Sequence, residues 1–151
     1  MTGYAELQCV TNFSFLRGAS HAGELVAQAR ALGLCALGVA DRNTLAGVVR
    51  AHAAAREHGL DLLVGARLDL AEGLSFLCYP MHRAAYGRLS QLLSKGKLAA
   101  QKGRCHITLD DVIAHGEGQI FIALPPARPD AEYESMLARL SGLWKDRLYL
   151  A

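Results

Sequence analysis

Short apolar runs alternate along the chain with longer segments in which apolar residues recur every three or four positions. The runs predict buried strands, and the spaced segments predict amphipathic helices. Residues 34–50 show the unit clearly: an apolar run at 35–40, the polar triplet Asp41-Arg42-Asn43, and a helical pattern that Asn43 or Thr44 can cap. Repetition of this unit predicts an α/β fold with mainly parallel strands and outer helices.

The same reasoning assigns the other elements. Strands are predicted at residues 4–10, 35–40, 60–64, 68–70, 74–79, 119–124 and 147–150. Helices are predicted at residues 20–31, 44–58, 83–94, 108–115 and 130–143. Ser20 is expected to cap the first helix without an acidic capping-box partner, because Gly23 occupies that position.

Length and composition favour one folded domain. The chain has 151 residues, of which 52% are hydrophobic and 20% charged, as in ordinary globular proteins. A net charge of +2 is too small to indicate nucleic acid or an acidic membrane as a partner. No apolar run approaches the roughly 18 residues of a membrane span, and the first residues lack the features of a signal peptide. A cytoplasmic location is expected.

The four cysteines are scattered and form no CxxC pair. Because three of them lie in or beside apolar strand-like runs, they are expected to be buried free thiols. Nothing in the sequence indicates the oxidising compartment that disulfides require. The cysteine residues are Cys9, Cys35, Cys78 and Cys105.

Most polar clusters favour a structural interpretation. His52 and His58 lie six residues apart, outside the spacing that places two metal ligands on one helix face. Asp110 and Asp111 fall in a first helical turn, where carboxylates favour the helix dipole. A catalytic triad of Ser14, His21 and Asp41 is not supported, since no G-x-S-x-G motif is present.

Two positions are more suggestive of a site. Asp41 and Arg42 are predicted at the carboxyl end of a buried strand, where α/β proteins build their sites. One basic cluster follows the third predicted helix, and it could contact phosphate. A solvated face is favoured for this cluster, because no aromatic residue is interleaved for stacking on bases. The cluster consists of Lys95, Lys97, Lys102 and Arg104.

Several stretches together resemble a known family. Residues 4–21, YAELQCVTNFSFLRGASH, resemble the opening of the polymerase-and-histidinol-phosphatase (PHP) domain of bacterial C-family DNA polymerases. The form NFSFLRGASH is similar to the error-prone, damage-inducible branch. GVADRNTLAGV at residues 38–48 and LVGARL at 63–68 are similar to the family's second and third motifs. AAYGRL, SKGK and KGRCHITLDDV also resemble that branch, so the resemblance runs nearly end to end.

The resemblance implies a degenerate metal site. Metal-bearing members supply His-x-His, Asp-His and Glu from the three motifs. The matching residues here are Gln8 and Val10, Asp41 and Arg42, and Arg67, so one ligand type is retained. Valine has no donor atom, glutamine is a poor ligand, and arginine brings positive charge. No metal or catalytic residue is therefore expected, and Arg67 or Arg42 is expected to pair with Asp41 or Glu6 instead.

The resemblance also implies a fold and a role. The expected fold is a partial, distorted β/α (TIM-like, PHP-type) barrel, with residues 1–151 as the amino-terminal portion of a PHP domain. The expected role is a non-catalytic structural segment of an error-prone DNA polymerase, whose remaining domains would bind magnesium and DNA. An incomplete barrel would leave a strand edge open to self-association. The alternatives are a free-standing α/β binding module and a metal-dependent phosphoesterase or nuclease.

Overall fold

The computed structural model describes residues 3–151. The described chain consists of two compact units, and the first ends at Arg67. Residues up to Arg67 form unit 1, and residues from Leu68 onward form unit 2. No helix among the described residues is long and apolar enough to cross a membrane.

Six strands and five α-helices make up the described chain. The strands are β1 Ala5–Cys9, β2 Ala36–Arg42, β3 Asp61–Asp69, β4 Ser75–Pro80, β5 Gln119–Leu124 and β6 Leu148–Leu150. The helices are α1 Ala22–Ala31, α2 Val48–His58, α3 Arg83–Leu98, α4 Leu109–Ala114 and α5 Ala131–Trp144, and a 3-10 turn spans Lys145–Arg147. The predicted α/β class with mainly parallel strands is confirmed.

Unit 1 is a parallel βαβαβ arrangement in the strand order β1-β2-β3. Its two helices pack against each other and against the sheet through small and branched apolar side chains. Parallel strands require crossover connections, and α1 and α2 provide them. The buried core residues are Ala22, Val26, Ala29, Leu37, Val39, Ala51, Ala55 and Leu60.

Unit 2 combines an antiparallel and a parallel strand pair. β4 pairs with β5 antiparallel, and β5 pairs with β6 parallel. Phe76 and Phe121 meet edge to face, and Phe121 stacks on Trp144 with ring centroids 4.0 Å apart. Such pairs add to the free energy gained by burying the rings. The core of unit 2 is therefore organised around three aromatic side chains.

Several sequence-based boundaries were wrong. β3 is one strand, whereas its two halves were predicted separately because Gly65-Ala66-Arg67 resembled a break. Gly65 and Ala66 instead pair with Ala40 and Asp41 of β2. α2 begins at Val48, after Gly47, because the residues that follow β2 form a turn in which Asn43 has φ +50°. The predicted start of this helix at Thr44 was therefore wrong.

The first and third helices also differ from prediction. His21, not Ser20, is the N-cap of α1, so the capping-box acid is Glu24, which accepts a 2.8 Å bond from the His21 amide. α3 continues to Leu98 through Gly96. A Cβ at Gly96 would lie 2.5 Å from the Ile107 side chain, so the glycine permits close packing there.

The cysteines are free thiols, as predicted, but they are not uniformly buried. Cys78 is buried, Cys9 and Cys105 are half-buried, and Cys35 is exposed. Cys35 directly precedes β2, so it lies outside the buried strand that was predicted to include it. Burial raises the pKa of the Cys78 thiol well above its ordinary value.

A candidate functional site around Asp41

Asp41 lies at the carboxyl end of β2, as the sequence predicted, and is fully buried at 0% exposure. Its carboxylate accepts three hydrogen bonds from the loop between β1 and α1. The Thr11 amide and the Ser14 hydroxyl donate to Oδ1 at 2.7 and 2.6 Å, and the Thr11 hydroxyl donates to Oδ2 at 2.8 Å. A buried carboxylate is costly unless it is hydrogen-bonded in this way.

Both hydroxyls also accept main-chain hydrogen bonds. The Phe13 amide donates to Thr11 Oγ1 at 3.1 Å, and the Arg42 amide donates to Ser14 Oγ at 3.0 Å. Each hydroxyl proton is therefore directed to Asp41, which acts only as an acceptor. That role suits an ionised carboxylate. We call Thr11, Ser14 and Asp41 the polar network.

The start of α2 closes the other side of this network. A Cβ at Gly47, the N-cap of α2, would lie 2.6 Å from Asp41 Oδ2 and 2.8 Å from Thr11 Oγ1. Only glycine allows the helix to begin this close to the carboxylate. The positive end of the helix dipole thereby adds to the stabilisation of the negative charge.

The structure brings together two members of the triad that the sequence did not support. Ser14 and Asp41 are in contact, but the Ser14 side chain is buried, with 3% exposure, and its oxygen already makes two hydrogen bonds. His21 serves as the exposed N-cap of α1. The arrangement fits an anchor for the loop, and it offers no nucleophile to a substrate.

The prediction that an arginine pairs with Asp41 was wrong. β2 and β3 pair so that Arg67 lies opposite Arg42, whereas Ala66 lies opposite Asp41. Because side chains alternate between the faces of a strand, Asp41 shares the helix-covered face with Leu37 and Val39, and both arginines lie on the other face. Hydroxyls and a main-chain amide replace the guanidinium. Glu6 likewise accepts from the Gln8 amide and the Tyr4 hydroxyl.

The residues at the degenerate positions do not fit a metal ion. Gln8 lies in β1, within an irregularity of its pairing with β2, and Val10 directly follows the strand. Val10 has no donor atom, and Arg42 and Arg67 lie side by side across adjacent strands. Within residues 3–151, no group of three or more His, Cys, Asp or Glu side chains could hold a metal.

The negative charges near the polar network change the pKa of one thiol, that of Cys9. Burial raises the pKa of Cys9, and the negative charges of Glu6 and Asp41 raise it further. The hydrogen bond to Glu6 similarly raises the pKa of Tyr4. A raised pKa lowers the fraction of Cys9 present as thiolate, which is the form of cysteine that acts as a nucleophile or metal ligand.

The four basic residues lie in unit 2, near the end of α3 and in the segment that follows it. All four are exposed, and Lys95 is paired with Asp111 at 2.5 Å. The His106 amide donates to the Gly96 carbonyl at 2.8 Å, which ties the following segment to α3. The four basic residues are Lys95, Lys97, Lys102 and Arg104.

Sequence reasoning missed the roles of Thr11 and Ser14 in the network. A signal was present, since both hydroxyl residues follow the first predicted strand at the end where Asp41 follows the second. The carboxyl ends of neighbouring parallel strands meet at one edge of a sheet. Only the fold, however, shows that the loop turns back over β2.

Comparisons with known sequences identify one family along nearly the whole chain. The sequence model of the PHP domain matches residues 6–147. The chain is 53% identical over 149 residues to an error-prone DNA polymerase of Caulobacter vibrioides. It is also 53% identical over 148 residues to error-prone DNA polymerase 1 of Agrobacterium fabrum. Each match covers 98% of this chain and 14% of the polymerase.

Solved structures share the fold at low sequence identity. An amidohydrolase from Chromobacterium violaceum matches with a TM-score of 0.74 at 14% identity, over 95% of this chain and 75% of that one. A Bifidobacterium adolescentis protein assigned as a metal-dependent phosphoesterase matches with a TM-score of 0.69 at 19% identity, over 91% and 75%. These likenesses confirm the predicted fold class. With the sequence match over residues 6–147, they establish that the chain belongs to the PHP domain family.

Proposed function

We propose that this chain is a non-catalytic, structural PHP segment from the amino-terminal part of an error-prone, damage-inducible DNA polymerase. The similarity to error-prone polymerases over 98% of the chain supports an error-prone polymerase as the parent protein. The chain spans about 14% of the length of those relatives, so primer extension, DNA binding and magnesium belong to the remainder of the parent. A cytoplasmic location is part of this proposal.

One observation carries the non-catalytic assignment. Arg42 and Arg67 are register partners on neighbouring strands, at positions matching those where the family resemblance places metal ligands. Asp41 faces away from them, and its oxygens accept from Thr11 and Ser14. Two fixed positive charges disfavour a divalent cation, and a carboxylate already bonded to three donors gains little from one.

The main experiment places this chain in a relative. The matching region of the Caulobacter vibrioides error-prone polymerase is replaced by residues 1–151, and primer extension by the chimera is measured with magnesium and deoxynucleotides. At 53% identity over 149 residues, we expect a folded chimera whose activity is close to that of the relative. The matched control carries Asp41→Asn, which should lower the unfolding temperature. An intact but inactive chimera would contradict the structural role.

A metal-dependent phosphoesterase is the competing activity. The purified chain is titrated with manganese and zinc by calorimetry, and hydrolysis of p-nitrophenyl phosphate is followed at each metal concentration. We expect neither stoichiometric binding nor saturable hydrolysis. The control is the chain with Arg42→His and Arg67→Glu, which restores two ligand types. Manganese-dependent turnover by the unaltered chain would overturn the assignment.

The basic cluster is proposed to be solvated surface. Lys95 is already paired with Asp111, and one such exposed pair is worth little. Replacing Lys97, Lys102 and Arg104 with glutamine should leave the salt dependence of any DNA binding unchanged. A lower slope of affinity against salt would instead show phosphate contact. Self-association of the chain remains a prediction for light scattering.

A further inference from the structure

The loop held by the polar network presents large apolar side chains to solvent. Phe15 is 83% exposed, Leu16 is 85% exposed and Phe13 is 39% exposed. We call these three residues the apolar tip. Single exposed apolar residues are common, but three within four positions of one loop form a patch of the kind that marks an interaction surface.

The apolar tip belongs to a tightly ordered loop. The Ser14 amide donates to the Thr11 carbonyl, and the Gly18 amide donates to the Ser14 carbonyl. A Cβ at Gly18 would lie 2.3 Å from the Thr11 carbonyl oxygen, so the chain passes very close to itself there. These contacts add to the bonds from Asp41 and fix the loop without help from Phe15 or Leu16.

The backbone at the tip is strained. Leu16 has φ +59°, a conformation that residues other than glycine seldom adopt. Its side chain recovers no burial in return, since it is 85% exposed. Strain that persists without local compensation is a reason to look for function. The conformation directs an apolar side chain outward and is ready-made for docking, which lowers the ordering cost of binding.

Positive charge borders the apolar tip. Arg17 follows Leu16 and is exposed, and the Arg50 guanidinium lies 5.7 Å from the centre of the Phe13 ring. Both cations would be desolvated unfavourably by a purely apolar partner surface. Charge complementarity therefore selects a partner that offers an apolar pocket with carboxylates at its rim.

We propose that the apolar tip docks into an apolar pocket with an acidic rim on the part of the parent polymerase outside this chain. This inference rests on the proposed function. Since the chain spans about 14% of its relatives' length, most of the polypeptide available as a partner lies outside residues 1–151. The polar network then serves as the anchor that holds the tip in its docking conformation.

The test uses the free chain and the Caulobacter vibrioides chimera in parallel. The double variant Phe15→Ser with Leu16→Ser is compared with Leu32→Ser, which alters a 67% exposed leucine at the other end of α1. In the free chain, both variants should unfold within about 1 °C of the unaltered chain. In the chimera, the double variant should lower the unfolding temperature by several degrees, and the Leu32→Ser variant should leave it unchanged.

A charge variant sharpens the test. Arg17→Glu should lower the chimera's unfolding temperature at low salt, and less so at high salt, because screening weakens the lost attraction. Insensitivity of the chimera to the double variant overturns the proposal, as does destabilisation of the free chain, since the tip would then be internal packing. Loss of free-chain dimers in the double variant, with the chimera unaffected, would assign the tip to a second copy. Failure of the unaltered chimera would instead contradict the proposed function.

Discussion

Units 1 and 2 are stabilised in different ways. Unit 1 packs alanine, valine and leucine between its parallel strands and two helices, and it buries an acceptor, Asp41, among hydroxyl donors. Unit 2 packs the rings of Phe76, Phe121 and Trp144 against one another, and Phe121 and Trp144 stack. Small side chains supply little apolar area each, so unit 1 depends more on its polar network. Unit 2 buries its large rings together with aliphatic side chains such as Leu89, Ile107 and Leu140.

The two units differ in how readily their buried groups can be replaced by other side chains. A ring can be replaced by another apolar group of similar volume at modest cost. A buried carboxylate tolerates no comparable exchange, because each donor that loses it remains buried and unsatisfied. Asp41 thus serves in unit 1 as a structural anchor for the loop between β1 and α1.

The largest expected effect is on the aromatic core of unit 2. Phe121→Ala removes a ring that contacts both Phe76 and Trp144, leaving a cavity that costs about 3–5 kcal/mol. Urea unfolding followed by Trp144 fluorescence measures it, since the chain has one tryptophan. Leu143→Ala, at a 51% exposed position on α5, should cost under about 1 kcal/mol. Equal effects would contradict an aromatic core.

Loss of the Asp41 charge should be the largest polar effect in unit 1. Asp41→Asn replaces one acceptor oxygen with a donor, so one of the Thr11 or Ser14 donors loses its partner. A cost of about 2–4 kcal/mol is expected. Hydrogen exchange of the β2 amides reports it, and Asp61→Asn at an exposed position of β3 is the control. If the β2 amides of Asp41→Asn keep the same protection from hydrogen exchange, the polar network does not stabilise unit 1.

Replacing two glycines of unit 1 with alanine should change the stability of the chain in opposite directions. Gly18→Ala forces a Cβ to within 2.3 Å of the Thr11 carbonyl and should destabilise the chain by about 1–3 kcal/mol. Gly23→Ala places a Cβ in open space inside α1 and should stabilise it by about 0.5–1 kcal/mol. Thermal unfolding distinguishes them. Destabilisation by Gly23→Ala as well would contradict the open space around that position of α1.

The sequence predicted the element order well because hydrophobic periodicity is local. The position of Asp41 at a strand end followed from such a pattern, and so did the helix-capping role of Asp111. Its partners did not follow, because they depend on strand register. A shift of one residue between β2 and β3 would have placed Arg67 opposite Asp41, on the same face. The fold and the site's location were thus predictable, but the donors were not.

The smallest predicted effect concerns a surface capping box in unit 2. Asp111 accepts from the Thr108 amide at 3.0 Å and pairs with Lys95. Lys95 and the Thr108 amide hold the pKa of its carboxyl down at about 2. Asp111→Asn should therefore cost about 1 kcal/mol near neutral pH, whereas Asp110→Asn, at an exposed position in the same turn, should cost a few tenths.

The pH dependence of that cost gives the sharper test. An unfolded aspartate titrates near 3.9, above the folded pKa of about 2. The charged form is therefore the one that folding favours, and its stabilisation is complete above about pH 5 and is lost as the pH falls through about 2. Urea midpoints from Trp144 fluorescence should differ most between Asp111→Asn and the unaltered chain at pH 6, and the difference should shrink as the pH approaches 2. A difference of the same size at pH 6 and at pH 2 would assign the cost to the amide's shape and would contradict a contribution from the charge on Asp111.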